Sequence, residues 1–126
     1  MSDVLDLSPT VDSVAAARRW SLEVLDRHGV AGLEDTMSLL VSELVSNVVL
    51  HARTPCSLSV DLSGDRVRVE VRDGSDRLPG IALRTDPLAQ SGRGLQLVVA
   101  LSHRHGIELR PEGGKMVWFE LLVASS

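Results

Sequence analysis

Residues 38 to 52 read Ser-Leu-Leu-Val-Ser-Glu-Leu-Val-Ser-Asn-Val-Val-Leu-His-Ala, apolar around most of a helical circumference, and a helix with that surface has no reason to face water. Glu43, Asn47 and His51 interrupt the segment at i, i+4 and i+8, which sets them on one line of the helix surface. A carboxylate and an amide on a buried helix are costly unless they are paired or open onto a wet cleft. The segment therefore requires a layer to cover it, and something polar against that one line.

The rest of the 126 residues can supply a single ordinary core, 44% of them being apolar, so the chain reads as one domain spanning residues 1–126. A net charge of −4 and only Trp20, Trp118 and Phe119 as aromatics leave neither a basic footprint nor a base-stacking platform, so no nucleic acid is expected as a partner. The single cysteine, Cys56, cannot close an internal disulfide. The first six residues lack the basic and apolar regions of a signal peptide and no run is long enough to span a bilayer. A cytoplasmic location away from membranes is the expectation.

Along the chain, Asp3 to Ser8 alternates weakly and reads as an edge strand. Ser8-Pro9-Thr10 offers two N-caps and a proline suited to a first helical turn. Val14, Ala17, Ser21, Val24 or Leu25, and His28 then recur on one helical face, with Gly29 as the stop. A second helix starts at Glu34 and Asp35, where its dipole favours acids, and runs to about Arg53 before Pro55.

Leu58, Val60 and Leu62, then Val67, Val69 and Val71, alternate with polar residues around a Gly64-Asp65 turn. That turn pairs Leu62 with Val67, Val60 with Val69, Leu58 with Val71 and Cys56 with Asp73, all on the apolar side, and aims Asp73 into the protein. The arginines that alternate on the other side read as a solvated face. Gly74 to Ser91 has no sustained period and reads as a long loop, a lid candidate. Gly92-Arg93-Gly94 leads into a helix from Leu95 that should end near His103 to His105, with Gly106 behind it. A strand from Ile107, a turn at Pro111 to Gly114 and a last strand with Val117, Phe119, Leu121 and Val123 inward complete the chain. Lys115 shares the inward parity. A sheet apolar on one face calls for helices on that face, which predicts an α+β two-layer sandwich with a mixed, mostly antiparallel sheet.

Glu43 with Asn47, inward Asp73, the loop after it and the glycine pair at a helix start are groups that could share one site. Backbone N–H groups at a helix start stabilise phosphate oxygens. An amide oxygen such as that of Asn47 can join a Mg²⁺ ion that also binds phosphates, and Glu43 can take a proton from an attacking hydroxyl. Asp73 can accept from an adenine amino group, or cap a loop N–H.

Leu39 to Ala52, Asp73-Gly74-Ser75, Gly92-Arg93-Gly94-Leu95 and Gly114 to Leu121 together resemble the histidine-kinase-like (GHKL, Bergerat-fold) ATP-binding domain, over nearly the whole chain and in the right order. The resemblance is to the small stand-alone bacterial anti-sigma factor serine/threonine kinases, those of actinobacteria in particular. It implies Glu43 as general base, Asn47 as Mg²⁺ ligand and Asp73 as partner of the adenine amino group, with Gly74 beside it. It also implies Gly92, Arg93, Gly94 and Leu95 beside the phosphates, and the preceding loop as ATP lid. The implied partners are a sigma factor and an anti-anti-sigma protein of the STAS type, with homodimers frequent among relatives. Three features depart from the pattern, one of them a short lid. The first glycine box, usually Asp-x-Gly-x-Gly, is Asp73-Gly74-Ser75-Asp76-Arg77 here, and Lys115 stands where many members have Thr or Ser, contacting the nucleotide or reaching for solvent. They motivate a rival expectation, a protein-binding regulator that keeps the fold with little or no kinase activity.

Overall fold

A computed structural model describes residues 2–76 and 90–123, the side chains of residues 90–95 excepted. Its elements are β1 (Ser2–Leu7), α1 (Asp12–Arg27), α2 (Glu34–Asn47), a π-helical turn (Val48–Ala52), β2 (Cys56–Ser63), β3 (Arg66–Asp73), α3 (Gln90–Leu101), β4 (Arg104–Leu109) and β5 (Lys115–Leu122). The strands form one sheet in the order β1-β2-β3-β5-β4. Every pairing between them is antiparallel, where the sequence pattern had allowed for a mixed sheet.

The β2/β3 register is the one that a two-residue turn dictates, Leu62 opposite Val67 through to Cys56 opposite Asp73. Its inward residues Leu58, Val60, Val67 and Val69 are wholly buried with Phe119 of β5. Against them lie Ala17, Val24 and Leu25 of α1 and Met37, Leu40, Val41, Leu44 and Val45 of α2. A buried aliphatic or phenyl side chain of this kind contributes about 1.5–3 kcal/mol relative to exposure. Helix α1 packs on α2, and α2 on α3, so the second layer is a row of helices on one face of the sheet.

Helix α1 ends as expected. Gly29 at φ +70 donates to Asp26, and Val30 donates to Leu25, which closes the C-terminus in a Schellman motif. Its start differs: neither Ser8 nor Thr10 caps it through a side chain, and the Ser13 hydroxyl instead donates to the Ser8 carbonyl at 2.6 Å. His28 is exposed rather than part of the apolar face, with Nε2 3.2 Å from an Asp3 oxygen of β1.

The second helix does reach Ala52, but its pitch widens. The N–H of Arg53 bonds to the Val48 carbonyl five residues back, and Arg53 at φ 55 ends the turn. The wider π turn carries His51 off the line of Glu43 and Asn47, and His51 is exposed.

At the far edge, α3 ends at Leu101 and β4 begins at Arg104, so Gly106 is a strand residue and not a helix stop. Gly106 faces Trp118 across the ladder, where a Cβ would come within 2.5 Å of the indole nitrogen. The missing side chain lets the ring lie flat over β4. That close approach is a tertiary requirement, which no local pattern around Gly106 announces.

Candidate functional site

Asp73 is the last residue of β3 and Lys115 the first of β5, and the two are paired across the ladder. Both point toward the helices, as strand parity requires. The Lys115 ammonium lies 3.0 Å from each Asp73 carboxylate oxygen. The Lys115 side chain is 7% exposed and that of Asp73 2%, so the lysine does not reach for solvent.

The backbone around this pair is pinned from three directions. The Ser75 N–H donates to Asp73 Oδ1 at 2.8 Å, a local turn that uses the same carboxylate. The Gly74 N–H donates to Thr54 Oγ1 at 2.9 Å, and the Gly114 N–H donates to Asp76 Oδ1 at 2.8 Å. Gly114 adopts φ +86, and a Cβ there would come within 2.1 Å of the Asp73 carbonyl oxygen, so only glycine fits. Thr54 and Asp76 were not singled out from sequence. Only their neighbours hinted at them: Thr54 follows the helix end and precedes Pro55, and Asp76 stands three residues after Asp73.

Glu43 and Asn47 are half-buried on α2, one turn apart. Among the described residues Glu43 forms no hydrogen bond or ion pair. The Asn47 Nδ2 atom is buried with no hydrogen-bond partner, and so is the Ser42 hydroxyl. An orphaned amide costs about 1–3 kcal/mol, so a native helix that keeps one signals a missing polar partner. Thr54, seven residues beyond Asn47, holds Gly74, so the C-terminal end of α2 and the strand end bearing Asp73 lie at the same end of the molecule. The π turn that joins them is a feature enriched at functional sites.

The glycine pair is placed differently from the expectation. Helix α3 begins at Gln90, so Gly92, Arg93, Gly94 and Leu95 lie inside its first turns and not ahead of them. The N–H groups of the first four helical residues, Gly92 and Arg93 among them, still lack intrahelical partners. The lid candidate falls largely on residues 77–89, outside the described residues.

An open cavity of about 530 Å³ borders Asp73 and Gly74, lined also by Asp6, Ser57, Arg72 and Arg110. Neither Glu43 nor Asn47 lines it, and Asp6, Ser57 and Arg72 have the outward parity, so it is not the space that the α2 residues face. No cluster of three or more His, Cys, Asp or Glu side chains able to hold a metal occurs among the described residues. The orphaned Asn47 Nδ2 is a donor and fits an acceptor such as a phosphate or water oxygen, while the amide oxygen is the atom that could hold a cation taking most of its ligands from phosphates and water, as Mg²⁺ does. At the same end of the sheet the Cys56 thiol is an ordinary core thiol, lifted to about 11 by burial and then by Asp73 and Asp6.

The model of the family described as histidine kinase-like ATPase domain matches residues 7–121. Among solved structures, that of the RsbU and RsbW domains of Rv1364c from Mycobacterium tuberculosis superposes with a TM-score of 0.74 at 19% sequence identity, over 98% of this chain and 32% of that one. The chain thus spans about a third of the length of that protein chain, and the likeness is one of fold. No curated protein sequence matches it.

Proposed function

Because this chain belongs to the histidine kinase-like ATPase domain family, we propose that it is a single-domain MgATP-dependent regulator of the anti-sigma factor kinase type, which phosphorylates a serine or threonine of a STAS-type partner and sequesters a sigma factor. The observation that carries the reading is the buried Asn47 amide nitrogen without a hydrogen-bond partner, one helical turn after Glu43, which forms no hydrogen bond or ion pair among the described residues. Bound MgATP would supply the phosphoryl group and the cation that offsets its charge.

The chain's own residues then have distinct tasks. Glu43 takes the proton from the acceptor hydroxyl, its carboxylate being half-buried and engaged by no described neighbour. The oxygen of the Asn47 amide would hold Mg²⁺. Asp73, with Gly74 and Lys115 beside it, meets the base. The backbone of Gly92 and Arg93 offers its free N–H groups to phosphate oxygens, with Gly94 and Leu95 next to them. No helix among the described residues is long and apolar enough to cross a membrane; a cytoplasmic location is part of the proposal. Homodimerisation, frequent in relatives of this kind, is part of the proposal.

Asn47→Ala is expected to abolish Mg²⁺-dependent ATP binding with the fold intact, read by titration of purified protein with ATP in the presence and absence of Mg²⁺ and by circular dichroism. Unchanged binding removes Asn47 from the site.

A second reading, a protein-binding regulator without useful catalysis, is favoured by the engagement of both Asp73 oxygens by Lys115. Transfer of labelled phosphate from ATP to a STAS-type partner excludes it.

A further inference from the structure

We propose that Lys115 reads the nucleobase directly, donating to ring N1 of adenine while Asp73 accepts from its 6-amino group; this rests on the nucleotide-binding reading above. Hydrogen-bonding capacity carries the argument. An ammonium has three N–H donors, and a carboxylate about four acceptor positions. Lys115 Nζ directs itself at both oxygens of Asp73, 3.0 Å from each, and Oδ1 also accepts the Ser75 N–H at 2.8 Å. Among the described residues no other group takes the third N–H of the ammonium or the second lone pair of Oδ2. With the side chains 7% and 2% exposed, bulk water does not take up that capacity.

Stability gives no reason for such an arrangement. A buried ion pair is often no better than two apolar side chains of the same volume, because desolvation offsets the attraction. Yet the fold fixes this one closely. Gly114, the residue before Lys115, is held against the Asp73 carbonyl in a conformation that only glycine adopts, and its N–H is tied to Asp76. Donor and acceptor are therefore set in place ahead of any ligand.

Their complement is an edge with an acceptor next to a donor. Adenine presents one, with N1 accepting and the 6-amino group donating. A 6-oxopurine in the same pose sets its O6 against the carboxylate and its N1–H against the ammonium, two mismatches inside a buried site, where unpaired polar groups are rejected most strongly.

Calorimetric titration of the wild type with ATP, 1-deaza-ATP and ITP tests this, with Lys115→Met and Lys115→Arg as companions. The 1-deaza analogue replaces N1 by C–H and removes the acceptor alone. Loss of a hydrogen bond to a charged donor predicts binding of 1-deaza-ATP weaker than that of ATP by about tenfold to a hundredfold, and ITP weaker still. The gap between ATP and its deaza analogue should close in Lys115→Met and survive in part in Lys115→Arg. Wild-type protein that binds ATP and 1-deaza-ATP alike, or ATP and ITP alike, overturns the inference and leaves the nucleotide reading standing. Failure of all three nucleotides to bind overturns the nucleotide reading, and the inference with it. The wild-type comparison decides the matter even if a variant fails to fold.

Discussion

Strands β3 and β5 carry ionic groups on both faces, and the two sets behave differently. On the outer face Arg68 donates to Glu70 at 2.7 Å and to Glu120 at 3.1 Å, stacks 4.0 Å from the Trp118 ring, and shares Glu70 with Arg72. Burial works against the Arg68 guanidinium, but its hydrogen bonds to Glu70 and Glu120 outweigh that and raise its pKa above the usual arginine value. Its side chain is 30% exposed, and water and salt can reach it. This is a linked network rather than the plain solvated face that the alternation of arginines suggested. On the inner face Asp73 and Lys115 have one another and almost no water. The same chemistry a few residues apart is cheap on one side of the sheet and expensive on the other, and only the expensive pair needs a reason beyond solubility.

The sharpest way to break that contrast is to remove one inner partner. Lys115→Met leaves the Asp73 carboxylate buried with the Ser75 N–H in place of its cation, at a cost of about 3 kcal/mol. For a domain of this size that lowers the melting temperature by roughly 10 °C. The double variant Asp73→Leu with Lys115→Met removes both ions and should recover most of that loss in a thermal melt, while ATP binding, which Lys115→Met alone keeps in weakened form, is lost with the Asp73 carboxylate. Equal destabilisation of the single and double variants would mean that the pair is there for stability after all.

On the outer face the same operation should do little. Arg68→Ala gives up exposed ion pairs and an indole contact, about 1 kcal/mol together. Most of that should vanish at molar salt, where the screening length is about 3 Å. Denaturant melts of the wild type and Arg68→Ala at low and high salt measure it; a salt-independent loss as large as that of Lys115→Met would erase the distinction between the faces.

Much of this contrast was legible in the sequence. The β2/β3 register, the inward aim of Asp73 and the inward parity of Lys115 all follow from a period of two and a two-residue turn, and the structure has each of them. What sequence could not give was set by contacts distant along the chain. Gly106 resembles a helix stop until Trp118 is laid across it. His51 stays on the line of Glu43 and Asn47 only for as long as the helix keeps its α pitch, and a π turn has no distinctive composition. Helix α3 takes in the glycines that were expected to precede it, since glycine weakens a helix without forbidding one. The ion pair itself was half visible, because parity aims both side chains the same way without saying that each will meet the other.

The smallest effect comes from Cys56, and it probes the dryness on which the contrast depends. Cys56 faces Asp73 directly across β2 and β3. Burial, then the charges of Asp73 and Asp6, raise its thiol from the ordinary 9.0 to about 11. A raised thiol pKa means that the folded chain keeps a proton the unfolded chain gives up. The resulting stability is whole below the unfolded value of 9.0 and is lost as the pH climbs through the folded value of about 11. Cys56→Ala should flatten that alkaline slope and leave neutral stability nearly unchanged. At pH 8 iodoacetamide should label the native thiol roughly a hundredfold more slowly than the unfolded chain, in line with the smaller thiolate fraction. Labelling at the unfolded rate would show water already standing beside Asp73, and a carboxylate in water has no need of a buried lysine.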